Sequence, residues 1–129
     1  MTDESVPRWV HFSEGEMACS HCGMHPMDEG FMKHLNELRN KVGFPLVISS
    51  GYRCPEYNAK VSFTGTNGPH TTGMAADIAI SGEKAFMVAK AAFQLGFKGI
   101  GIAQKGVKRF IHVDDVVSPE HPRPRVWSY

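Results

Sequence analysis

The segment Met74-Ala75-Ala76-Asp77-Ile78-Ala79-Ile80 constrains the fold more than any other stretch, because it sets one carboxylate inside an otherwise apolar run. Burying an ionised carboxylate without a partner is costly, so Asp77 needs a cation, a metal or several hydrogen bonds wherever this segment is buried. Strand alternation puts Ala75, Asp77 and Ala79 on one face and Met74, Ala76, Ile78 and Ile80 on the other. The segment therefore predicts a strand with one core face and one face on which an acid stands between two small side chains.

Other elements follow from periodicity. From Asp28, a good N-cap, Phe31, Leu35, Leu38 and Val42 recur at helical spacing and stop at Gly43, which predicts an amphipathic helix. Leu46 to Ser50 is β-prone, and residues 51–73, with four Gly and two Pro, read as a long surface loop. Ser81 can cap a helix over Gly82 to Leu95, with Phe86, Ala89 and Phe93 as its apolar stripe. In Gly99-Ile100-Gly101-Ile102-Ala103 the odd positions are all tiny, which predicts a strand with a bare face. In Arg109 to Asp115, Phe110, His112 and Asp114 share one strand face.

This order predicts an α+β fold: a mostly antiparallel sheet with helices packed on one face and an open cleft on the other, the face expected to carry chemistry. The irregular N-terminal segment 1–27 and the Pro-rich tail 118–129 are expected to pack on a single domain spanning 1–129. A composition of 42% hydrophobic and 21% charged residues excludes a disordered or fibrous chain. The formal net charge of +1 provides no global field for nucleic acid, and the basic residues of VKRF and RPRV are too scattered for a nucleic-acid stripe. Met1 to Val10 holds two acids before its first Arg and no long apolar run, so neither a secretory signal nor membrane insertion is expected.

Seven His residues direct attention to metal chemistry. His70, at the end of the long loop, Asp77 and His112 could meet on the open face as a His2Asp set, which leaves a fourth zinc position open for water or substrate. Asp114 and Arg53 are then candidates to take a proton and to steady an oxyanion. The plainer alternatives are a strand-end acid for Asp77, a surface cation for Arg53 and turn-capping acids for Asp114 and Asp115. His34 and His11 read as surface or capping groups. Cys19, Cys22 and Cys54 are too few and odd-numbered for a disulfide framework. Cys19-Ser20-His21-Cys22, followed by His25, has the spacing of a structural zinc site that Cys54 could join, and free or redox-paired thiols are the alternative.

Three stretches together carry a family resemblance: Ser50-Gly51-Tyr52-Arg53-Cys54-Pro55 with Asn58, then His70-Thr71-Thr72-Gly73-Met74-Ala75-Ala76-Asp77, then Phe110-Ile111-His112-Val113-Asp114. They resemble the D-Ala-D-Ala carboxypeptidase and L-alanyl-D-glutamate endopeptidase family of zinc peptidases, whose core is shared with lysostaphin-type peptidases and the hedgehog signalling domain. The resemblance runs from about Phe12 to Trp127. It implies Zn2+ held by His70, Asp77 and His112, with Arg53 on a substrate carboxylate or the attacked carbonyl and Tyr52 and Asn58 lining the substrate site. The implied activity is hydrolysis of peptidoglycan stem peptides by metal-activated water, either as a carboxypeptidase or as an endopeptidase.

The chain departs from the family pattern at two positions. Arg109 stands where many relatives carry the catalytic acid, which leaves Asp114 as the substitute base, or else as an acid orienting His112 or Arg53. Gly68 stands where relatives often carry Ser. The missing acid supports the alternative of a non-catalytic metal-binding module of the same fold in a virion or wall-recognition role. From family habit a phage or prophage product is expected: a monomer, made in the cytoplasm, that meets peptidoglycan after holin release or as part of a virion. Trp127 and Tyr129 either pack beneath the sheet or wall the cleft.

Overall fold

The computed structural model describes residues 7–129. Short strands β1 (Pro7–Trp9) and β2 (Phe12–Ser13) form a small antiparallel sheet, and a single-turn helix α1 (Glu14–Met17) follows. Ser13 caps α1 in a capping box with Glu16. The rest of the chain runs α2 (Glu29–Val42), β3 (Val47–Ser50), α3 (Pro55–Val61), β4 (Ala75–Ala79), α4 (Gly82–Leu95), β5 (Gly99–Ala103), β6 (Phe110–Asp114) and β7 (Arg125–Ser128). The main sheet has the order β3-β4-β6-β5-β7; it is antiparallel except for the parallel pair of β5 and β7, so the fold is α+β with a mixed five-stranded sheet.

Asp28 caps α2 as predicted, its carboxylate accepting from the Phe31 N–H, and Phe31, Leu35 and Leu38 are buried with Met32. Ala76, Ile78, Ile100, Ile111 and Val113 supply the sheet side of the core beneath α2 and α4. The stripe predicted for α4 is corrected by one position. Phe86 and Phe93 are 70% and 54% exposed, while Ala85, Val88, Ala91 and Ala92 are buried. Small residues let α4 lie close against α2, β5 and β6, and bulky phenyl rings at those positions would hold it off. Ser81 occupies the N-cap position of α4 without a side-chain hydrogen bond.

Two irregular stretches hold more structure than their composition predicts. Within residues 51–73, Cys54 caps helix α3, Pro55 opens it, and two 3-10 turns follow at Gly65–Asn67 and Pro69–Thr72. The Pro-rich tail contributes β7, whose alternation of Val126 and Ser128 around Trp127 is too short to stand out without its partner strand. His34 is a cap, though of a different helix: its Nε2 donates to the Leu95 carbonyl at the end of α4 and its Nδ1 lies 2.8 Å from Asp115. His11 is hydrogen-bonded to Asn40 on the surface.

Candidate metal centre

The sheet register brings the site together. Asp77 on β4 pairs directly with His112 on β6, and Gly101 on β5 lies opposite His112 on the other side. Side chains of directly opposed residues stand on the same sheet face, so Asp77 and His112 meet on the side away from the helices. Gly73 turns the chain into β4 with φ 75°, a conformation that favours glycine, and a Cβ there would strike the Pro26 carbonyl. The 3-10 turn just before it carries His70 over the same face.

Nitrogens of both histidines converge on one carboxylate oxygen: His70 Nε2 lies 3.2 Å and His112 Nδ1 2.9 Å from Asp77 Oδ1. All three residues are buried, and their ligating atoms lie within 4.8 Å of one another. The second nitrogen of each ring is already committed. His70 Nδ1–H donates to the Gly51 carbonyl at 2.8 Å, and His112 Nε2–H donates to Asp114 Oδ2 at 2.7 Å. In the neutral tautomers these bonds select, two imidazole lone pairs and a carboxylate oxygen face one another in a buried space. Three acceptors so arranged need a positive centre among them, and two neutral imidazoles plus one carboxylate suit zinc. The residues present therefore fit the metal implied by the family resemblance.

With protons in place of metal, the same geometry perturbs Asp77 and His112. Burial would raise the Asp77 carboxyl, but the charges and hydrogen bonds of His70 and His112 outweigh it and hold Asp77 well below the usual carboxylate range. Burial would lower His112, but its bonds to Asp114 and Asp77 push it up to about 9.

Asp114 does not have the surroundings of a general base. Its side chain is fully buried, and Arg123 engages both oxygens, Nε at 3.0 Å from Oδ1 and Nη2 at 2.8 Å from Oδ2. The Val116 N–H and His112 Nε2 occupy further acceptor positions. Burial opposes its ionisation, but His112 and Arg123 overcome it and bring Asp114 down to about 2. These surroundings match the second reading that the sequence left open for Asp114, an acid that orients His112. Arg109 is exposed beyond the start of β6, its Nε donating to the Gly106 carbonyl.

Arg53 reaches the site, with Nη2 3.7 Å from Asp77 Oδ2 and Nη1 donating to Asn58 Oδ1 at 3.0 Å. Asn58 and Tyr52 stand on either side of Arg53 in the loop that carries it. Asn58 is buried, and its amide nitrogen donates to Thr64 Oγ1 and the Gly65 carbonyl, so it positions Arg53 and ties the loop together. It also fills the space where a side chain at Gly68 would stand. Tyr52 packs against the core, and after burial the groups that raise its pKa are Cys22, Cys54 and Cys19, which puts it on the thiol side of the loop.

The face predicted to be bare is furnished by the tail. Trp127 lies over Gly101, where a Cβ would come within 2.7 Å of the indole nitrogen, and its ring stands 5.1 Å from that of His112. Gly99 likewise makes room for the Asp114–Arg123 pair. Tyr129 packs on Phe110; its hydroxyl accepts from the Trp127 indole and feels the charges of Asp77 and Arg53. Trp127 and Tyr129 thus wall the site. Sequence reasoning missed Arg123 as a site residue, although the crowding of two arginines and two aromatics into residues 123–129 was visible.

Among the described residues no helix is long and apolar enough to cross a membrane. The sequence profile of the family described as Peptidase M15 matches residues 10–114. That span contains Arg53, His70, Asp77, His112 and Asp114, and it ends before the tail that walls the site. No curated protein matches the chain.

Proposed function

Since the chain belongs to the peptidase M15 family, we propose that it is a zinc peptidase that hydrolyses peptidoglycan stem peptides, as a carboxypeptidase or an endopeptidase. The convergence of His70 Nε2, His112 Nδ1 and Asp77 Oδ1, with each outward ring nitrogen already tied to an acceptor, carries this reading. When bound there, zinc supplies a Lewis acid that polarises a peptide carbonyl and acidifies water towards a pKa of about 7.

The protein's own groups have distinct tasks. Gly51 and Asp114 hold the two imidazoles in the tautomers that point inward, and Arg123 keeps Asp114 ionised. Arg53, anchored by Asn58, presents a fixed cation beside Asp77 for a substrate carboxylate or for charge developing on a carbonyl oxygen. Trp127 and Tyr129 limit water on the β5 side and offer an aromatic wall to a peptide stem.

A second reading draws on the same site: with Arg109 turned away and Asp114 sealed by Arg123, a metal-binding module without turnover fits the carboxylates as they stand. Digestion of purified peptidoglycan by the zinc-loaded protein separates the two, with chelated protein and His112→Ala alongside and mass analysis of soluble fragments. Zinc-dependent release supports the peptidase, and the fragment masses name the bond. Binding to several wall types without release would favour the module.

A further inference from the structure

A second group of ligating side chains lies outside the His70, Asp77 and His112 site. Cys19, Cys22 and Cys54 are all free, and their sulfurs lie within 4.8 Å of one another. A disulfide could use only two of them. Three soft donors converging on one point match a tetrahedral zinc site.

The local backbone is arranged around these sulfurs. Gly23 follows Cys22 with φ 75°, and its N–H closes the turn onto the Cys19 carbonyl at 2.8 Å. The Cys19 N–H donates to the Met24 carbonyl at 2.8 Å, which folds the turn back on itself. The Cys19 sulfur accepts from the N–H groups of His21, Cys22 and Cys54, the last at 3.4 Å. Hydrogen bonds of this kind stabilise a thiolate and fix where its remaining lone pairs point. Cys54 caps α3 with its sulfur, which accepts from the Tyr57 N–H at 3.4 Å.

A fourth donor stands beside the cluster. His21 Nδ1 lies 3.4 Å from the Cys54 sulfur, and its ring is stacked on Tyr57 with an interplanar angle of 8°. His25, the other nearby imidazole in sequence, is directed to Glu14 at 3.2 Å.

We propose that Cys19, Cys22 and Cys54 bind a structural zinc ion, with His21 as the fourth ligand, and that this ion staples the N-terminal segment to the loop carrying Arg53. Binding releases the thiol protons to solvent and requires no redox partner. The two segments already touch: the Tyr52 N–H donates to the Met17 carbonyl at 2.8 Å, and a Cβ at Gly51 would strike the Met17 backbone. Arg53 directly precedes Cys54, and its own N–H donates to the His70 carbonyl at 3.1 Å. A metal at the thiols would therefore hold Arg53 and His70 in place from outside the catalytic site.

The test is metal counting and cobalt substitution on the full chain. Zinc-loaded protein is expected to hold about two zinc ions per chain, with His112→Ala and Cys54→Ser each reducing this to about one. Because the His70, Asp77 and His112 set contains no sulfur, a thiolate-to-cobalt charge-transfer band in the wild-type protein reports only the cysteine site. That band should vanish in Cys54→Ser and persist in His112→Ala, while His21→Ala should keep it with weaker cobalt binding. Thiols of the loaded protein should resist a disulfide reagent until a chelator is added. A wild-type protein that takes up cobalt without a thiolate band, or that contains a Cys–Cys bond when purified under non-reducing conditions, would overturn the proposal. Neither result depends on peptidase activity.

Discussion

His112 and Asp114, two residues apart on one strand, are joined by a 2.7 Å hydrogen bond from Nε2–H to a carboxylate that also holds Arg123 at 2.8 Å. The bond leaves His112 Nδ1 directed at Asp77. Asp114 thereby sets which nitrogen of His112 is offered to a metal.

Replacing Asp114 with Asn should weaken zinc binding by about 10- to 100-fold, because the uncharged amide accepts more weakly from Nε2–H and leaves Arg123 unpaired. Competition with a chromogenic chelator measures this. Unchanged affinity combined with abolished turnover would instead return Asp114 to the role of general base.

The chelated protein should lose stability on the alkaline side. His112 is raised from 6.5 to about 9 in the folded chain, so its contribution is complete below pH 6.5 and lost as pH rises through about 9. Asp77 and Asp114 are lowered from 3.8, so their contribution is complete above that value and lost on acidification, for Asp114 through about 2. The melting temperature with chelator present should therefore be highest between about pH 4 and 6.5 and fall towards 9. A metal held by His112 and Asp77 would take the place of the proton between them, so the zinc-loaded protein should not show that alkaline fall. Calorimetry across the range with and without zinc checks both limbs, and a flat alkaline limb in chelator would contradict the His112 assignment.

Gly101→Ala tests whether the tail is seated on β5. The new Cβ meets the rigid Trp127 indole at 2.7 Å, so the tail must shift, at a cost of about 1–3 kcal/mol. In a Trp9→Phe background the emission of Trp127 should move towards that of a solvated indole. Unchanged emission and an unchanged urea midpoint would mean that Trp127 does not rest over Gly101.

The two helices should respond unequally to truncation. Leu35 is fully buried, so Leu35→Ala should cost about 2–5 kcal/mol. Phe93 is 54% exposed, and Phe93→Ala should fall within about 0.5 kcal/mol of wild type. Urea unfolding of both proteins decides the matter, and a large loss at Phe93 would restore the phenylalanine stripe as the core face of α4.

By itself the sequence determined the alternation that puts Asp77 on one face of β4 and His112 with Asp114 on one face of β6, because the side-chain period of a strand is two. It also determined α2, whose N-cap, helical spacing and terminal glycine agree with one another. Only the tertiary structure decided what those faces meet. Periodicity could not choose between the phenylalanines and the small residues of α4, since the distance between helix and sheet settles that choice. Nor could it show that Asp114 is paired with Arg123, which is brought over Gly99 by a tail that becomes a strand only beside β5. Composition marks Gly99 and Gly101 as small, and the packed chain determines that the space they leave belongs to Arg123 and Trp127.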